Sequence, residues 1–165
     1  MTLRLSKCLL VLAVAFYYTL VAFNNVTDFS SNYEFVHHVL LMDTTFPGNR
    51  GMWRALHPLA LQYAFYGGII LWETATAILC WWGGFRLLRA RHAPRAAYSH
   101  ARRTAVLGLT LSLLMWLVAF LTVGGEWFLM WQSHTWNGQD AAFRMFTVVG
   151  IILVYLVLPD GETIP

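Results

Sequence analysis

Four stretches of the chain meet or approach the length and apolarity needed to cross a bilayer, and this limits the fold more than any other feature. A hydrocarbon core takes roughly 20 residues of helix. Residues 8–23 and 104–123 carry no charge, 59–85 carry only Glu73, and 143–158 carry only Arg144, near their start. Inside lipid every backbone polar group must be satisfied within the spanning structure, so each stretch is expected to be a helix. Composition supports the same conclusion. A chain that is 58% hydrophobic and 12% charged cannot clothe a water-soluble domain, which carries about 25% charged residues. Disorder, a coiled coil, a nucleic-acid-binding domain and an ordinary cytosolic enzyme are excluded. The expected fold is an all-α membrane protein, one integral domain over residues 1–165. It is an antiparallel four-transmembrane-helix bundle with a short extra interfacial helix on its outer face.

Charge placement orients the bundle. Arg4 and Lys7 precede the first span, and Arg86, Arg89, Arg91, Arg95, Arg102 and Arg103 fall in the stretch 86–103 between spans two and three. The positive-inside rule puts that basic inner loop and both termini in the cytoplasm. Only Arg50, Arg54 and Arg144 lie on the other side, where the outer segments 24–58 and 124–142 are expected. The arginine loop is read chiefly as the orientation signal, with an anionic-lipid or partner site as the alternative. No small-x-small cleavage site follows the first apolar run, so it is expected to stay as an uncleaved helix. The first and fourth spans are short and need flanking residues to reach the headgroups. Trp53, Trp127, Trp131 and Trp136 gather near the outer ends and Trp81 and Trp82 near the inner end, an aromatic belt at both faces. Trp72 and Trp116 fall deeper. Cys8 and Cys80 have no metal-ligand spacing and are read as apolar fillers.

Neither outer segment resembles an ordinary loop. Phe35, Val39 and Met42 share a face at helical spacing, which predicts a short helix over 32–42, with Ser30 or Ser31 as its cap. A helix this apolar beside a membrane is expected to lie in the interface. In the second outer segment the third helix is expected to run past Gly124-Gly125 and break at Asn137-Gly138. The sequon Asn25-Val26-Thr27 lies against the membrane and is not expected to be glycosylated.

Two long motifs carry a resemblance. Phe35-Val36-His37-His38-Val39-Leu40-Leu41-Met42-Asp43-Thr44-Thr45-Phe46-Pro47 resembles the first hallmark of a family of predicted small bacterial integral membrane proteins. Gly124-Gly125-Glu126-Trp127-Phe128-Leu129-Met130-Trp131-Gln132-Ser133, continuing through Trp136-Asn137-Gly138-Gln139 to Ala142-Phe143-Arg144, resembles the second. The family is defined as a domain of unknown function. The resemblance covers nearly the whole chain and implies a four-helix protein of the bacterial inner membrane. It implies no activity, substrate or catalytic residue.

Glu73 is the most informative side chain. A carboxylate in mid-span costs at least roughly 2.5–3.5 kcal/mol on insertion scales, so it is expected to face the bundle interior and be partnered or protonated. Helical spacing places Gln62, Tyr66, Glu73 and Cys80 on one stripe, with Thr76 and Ala77 beside it. Tyr17 or Tyr18 on the first span and Ser112 on the third lie at matching depth and could hydrogen-bond it. Ala60, Ala64, Gly67 and Gly68 make the outer half of the same helix smooth enough for close packing. The buried carboxyl serves either as a proton or ion relay, as a contact to a partner's cation, or as a hydrogen-bonded lock on helix register.

The outer face gathers Glu34, His37, His38, Asp43, His57, Glu126, Trp131, His134 and Asp140. Glu34, His37 and His38 have helical spacing that could share a metal, but the motif occurs once where bundle di-iron sites use it twice, so no metal is expected. Glu126 could pair with Arg50, Arg54 or Arg144. No His lies on an apolar core, which disfavours haem, and no cofactor is expected. No nucleophile–base arrangement or phosphate loop is visible. The expected role is a non-catalytic accessory or scaffold component of a membrane complex. Its partners are the lipid bilayer and either another membrane protein or a second copy of itself, and no nucleic acid. The alternatives are a proton- or ion-coupled transporter using Glu73, and a periplasm-facing protein handling a metal or quinone.

Overall fold

The computed structural model describes residues 2–159, and over them the protein is helical without strands. Five helices follow one another. They are α1 (Thr2–Thr27), α2 (Phe29–Leu41), α3 (Leu59–Ala90), α4 (Arg95–Leu114) and α5 (Gln139–Val157). The backbone of α4 does not stop at Leu114 but continues as a π-helix over Met115–Trp127. Single 3₁₀ turns at Met52–Arg54 and Met130–Gln132 complete the outer segments. Four helices, Thr2–Thr27, Leu59–Ala90, Arg95–Trp127 and Gln139–Val157, are long and apolar enough to cross a membrane. Their outward faces show why they need one: Leu71, Leu107 and Ile151 are 70%, 62% and 64% exposed. Large apolar side chains distributed around a bundle in this way belong in hydrocarbon.

Charged sequence does not end these helices. Residues 86–103, expected as a loop, are helical except around the turn at residues 91–94. Arginine is a good helix former, and Pro94 fixes the turn just before α4 begins. The inner cations then close helix ends. Arg4 donates to the carbonyl of Ala93 at 2.7 Å, Lys7 to that of Leu158 at 2.6 Å, and Arg102 to that of Leu156 at 3.2 Å. Carbonyls at a helix C-terminus lack intrahelical donors, so a basic side chain there satisfies both hydrogen bonding and the dipole. Lys7 is buried in doing so.

Small residues hold the inner half together. A Cβ added to Gly83 would lie 2.5 Å from the backbone of Ala105 on α4, and one on Gly108 would lie 2.7 Å from the Cys80 sulfur on α3. Gly84 gives the same access to Leu12 of α1. Van der Waals contact between close backbones is the main attraction available to helices in lipid. Around these contacts Val11, Val14, Ala77, Leu87, Ala105 and Leu109 form an apolar interior. The Trp72 indole crosses from α3 to the Leu111 carbonyl at 3.0 Å, where α4 changes to π geometry.

Two expected boundaries move. Helix α2 starts at Phe29, before Ser30 and Ser31, and no side chain caps it; it ends where Met42 takes a left-handed conformation, φ 55°. The third spanning helix ends at Trp127, not at Asn137-Gly138. There Phe128 donates back to Val123 at 2.9 Å, and Leu129 reverses the chain with φ 55°. The stretch after it is apolar because it folds onto α2, with Phe128 and Met130 buried against Val39, Leu40 and Met42.

Candidate functional site

The site is a column of polar side chains along α3. Gln62, Tyr66, Glu73 and Thr76 are all buried on one face of that helix. At its outer end Gln62 Oε1 accepts from the Tyr33 hydroxyl at 2.8 Å and meets His37 Nδ1 at 2.6 Å. Its amide nitrogen donates to the Leu56 carbonyl at 2.7 Å. One glutamine thus fastens α2 and the chain before α3 to α3 itself. Burial, then the neighbouring Tyr63 and Glu34, raise the Tyr33 phenol above its ordinary range. The rings of Tyr33 and Tyr66 lie 5.9 Å apart and carry the column inward.

One turn deeper the partner is Asn25 of α1. Its amide nitrogen donates to Glu73 Oε2 at 2.7 Å, while Tyr66 donates to the Asn25 carbonyl at 3.1 Å and to its side-chain oxygen at 3.2 Å. Glu73 is 3% exposed, so it is enclosed between α1 and α3 and does not face hydrocarbon. Tyr18 and Ser112 bond each other at 2.7 Å and make no bond to Glu73. Tyr17 stands edge-on to Tyr18, and the Thr76 hydroxyl donates to the Trp72 carbonyl in its own helix. Below this level Val11, Val14, Ala77, Ala105 and Leu109 pack the interior as far as the buried Lys7 at the inner end.

The outer polar residues divide into separate groups. His38 Nδ1 meets Asp43 at 2.7 Å, its Nε2 lies 3.5 Å from Glu34, and its ring stacks on Trp136 at 4.7 Å. His37 points the other way, to Gln62. Among the described residues no three His, Cys, Asp or Glu side chains gather to hold a metal. Arg54 reaches Glu126 at its main-chain carbonyl, 3.4 Å, and lies over the rings of Trp53 and Trp127. Trp131 packs edge-on against Phe46. His57 contributes its main-chain carbonyl to Gln62, 3.5 Å away. Asp140 lies in the first turn of α5 with Arg144 one turn on, and His134 lies on the exposed bend before it.

The family model described as a predicted small integral membrane protein, domain of unknown function 2165, matches residues 3–159. The chain belongs to that family. No curated protein and no solved structure matches it. The family description and the four apolar helices agree that this is a multi-pass helical membrane protein.

Sequence reasoning about this family member missed Asn25, Tyr33 and Trp136. The signal for Asn25 was available: α1 runs on to Thr27, so a residue two positions past the apolar run is still on a helical face. Tyr33 sits four residues before His37 and therefore on the same side of α2. Nothing in the sequence marks the stacking of Trp136 on His38.

Proposed function

We propose that the chain is a single integral domain of the bacterial inner membrane, an antiparallel bundle with both ends in the cytoplasm and α2 lying at the outer interface. Residue 4 beside residue 93 and residue 25 beside residue 73 support opposite directions for α1 and α3. The final residues, 160–165, lie outside the described residues. In this reading the protein is a non-catalytic accessory or scaffold component of a membrane complex.

One observation carries this role: the buried polar groups join the protein's own elements, and apolar packing separates the Glu73 column from the buried Lys7 at the inner end. Gln62 bonds α2 and the chain before α3, while Tyr66 and Glu73 both bond Asn25 of α1. A carboxyl that conducts needs polar access from both sides, and between Glu73 and the buried Lys7 at the inner end the interior is packed by Val11, Val14, Ala77, Ala105 and Leu109. The network is therefore suited to fixing helix register and the pose of the outer cap. That cap is braced across elements by Leu56 to the Leu40 carbonyl at 2.8 Å, Thr44 to Ser133 at 2.8 Å and Phe46 to Gln132 at 3.1 Å. It offers a partner a fixed surface at the headgroup level.

Affinity purification from native membranes in a gentle detergent tests the role. A fixed co-purifying membrane protein, lost or weakened in Glu73→Gln, is expected. Monodisperse protein without a partner, together with pH-dependent flux in liposomes that Glu73→Gln abolishes, would favour the transporter reading instead.

A further inference from the structure

In the inner half α3 packs closely on α4 and α1 through Gly83, Gly84 and Gly108, whereas the outer half is split. Between α2, α3 and the π-helical continuation of α4 lies a cavity of about 530 Å³, open to the side. Leu61, Gly68 and Trp72 of α3, Val36 and Leu40 of α2, and Phe120 of the π segment line it. Apart from the indole nitrogen of Trp72, which is turned to the Leu111 carbonyl, these side chains are hydrocarbon. A Cβ added to Gly68 would meet nothing within 4 Å, in contrast to the inner glycines, whose missing Cβ atoms are filled by neighbours. The lateral space therefore belongs to something outside the chain.

Its dimensions select the occupant. From Leu61 to Trp72 the groove runs about 16 Å along α3 at 1.5 Å per residue, close to half of a hydrocarbon core of roughly 30 Å. It thus spans one leaflet and ends on Trp72. A partner helix long enough to be held in the bilayer would have to continue through both leaflets, beyond the end of the groove. An acyl tail, by contrast, ends at the bilayer middle, as the groove does. A polyprenyl tail is too long for a one-leaflet groove.

The outer rim supplies the other half of an amphiphile site. Arg54 lies over Trp53 and Trp127 and reaches the Glu126 carbonyl, two residues from both Gly124 and Phe128 of the lining. Guanidinium is the side chain best matched to a phosphate, and indole rings favour the headgroup level. We propose that this groove binds one acyl chain of an outer-leaflet phospholipid, whose phosphate sits against Arg54. The leaflet rests on the orientation proposed above, but the site does not rest on the accessory role, so its test is independent of that role.

Gly67 and Gly68 provide a matched pair. A Cβ meets nothing at either position, but only Gly68 lines the groove. The full chain is reconstituted in liposomes containing phosphatidylglycerol with a photoactivatable group at the end of one acyl chain, and crosslinked peptides are mapped. Label is expected on segments 61–72 and 118–130. Gly68→Leu, with Ala64→Leu as a second filler, should reduce it at least fivefold, while Gly67→Leu changes it less than twofold. Arg54→Gln should reduce the lipid retained through purification, read by native mass spectrometry. Equal labelling in the Gly68 and Gly67 variants would overturn the proposal. So would label spread over the exposed face of α5, or displacement of the probe by a polyprenyl phosphate or a partner helix.

Discussion

Replacing Asn25 by leucine tests the buried column at its narrowest point. The substitution keeps a side chain of similar size at the end of α1 but removes the donor 2.7 Å from Glu73 Oε2. Leaving a buried polar group without its partner costs about 1–3 kcal/mol. Interhelical hydrogen bonds in membranes average about 0.6 and reach about 1.7 kcal/mol, because the unfolded chain in lipid also finds partners. Glu73 is 3% exposed, which argues for the upper part of the membrane range, while Asn25 is half-buried, which tempers it. The expected loss is about 1–2 kcal/mol. Reversible unfolding in mixed micelles, followed by tryptophan fluorescence, measures it for Asn25→Leu, Glu73→Leu and the double variant. The double variant should be more stable than the sum of the singles predicts, with a coupling of about 1 kcal/mol or more, since neither polar group is then stranded. A coupling below about 0.3 kcal/mol would show that Asn25 does not hold Glu73, and the column would lose its inner anchor.

Gly108→Leu should destabilise by about 1–3 kcal/mol or prevent folding, because its side chain meets Cys80 and the α3 backbone, whereas Gly67→Ala should be neutral or stabilising by up to about 1 kcal/mol; the same unfolding titration separates them. Gln62→Leu should loosen α2 from α3, seen as faster amide exchange over Phe29–Leu41 with little change in Arg95–Leu114. His38→Ala should cost no more than about 1 kcal/mol, since its carboxylate partners are largely exposed, and unchanged thermal stability within that limit checks it.

The spans were legible because runs of apolar residues near bilayer length admit one structure, and their ends were not, because charged residues extend helices as readily as apolar ones. The stripe Gln62–Tyr66–Glu73 on α3 follows from helical spacing alone, and all three residues are buried. Their partners do not follow, since they depend on which helix face meets α3. Asn25 was hidden by ending the first span at Phe23. Arg54 has carboxylates within reach by sequence but meets a carbonyl, because Trp53 and Trp127 orient its guanidinium. The π winding of Met115–Trp127 left no mark in a segment apolar on every side, and with it the lateral groove was invisible. The open Gly68 and the packed Gly108 are alike in sequence; only the neighbouring helix distinguishes them.

The central claim is that Glu73 lies at membrane depth and is walled off from lipid by α1 and α3. A lipophilic carbodiimide, which attacks carboxyls reachable from hydrocarbon, tests it on the unaltered protein in bilayers, with modified peptides counted by mass spectrometry. Glu73 should resist modification in the folded protein and react once the chain is unfolded in detergent. Modification in intact bilayers as fast as in the unfolded chain would contradict the account.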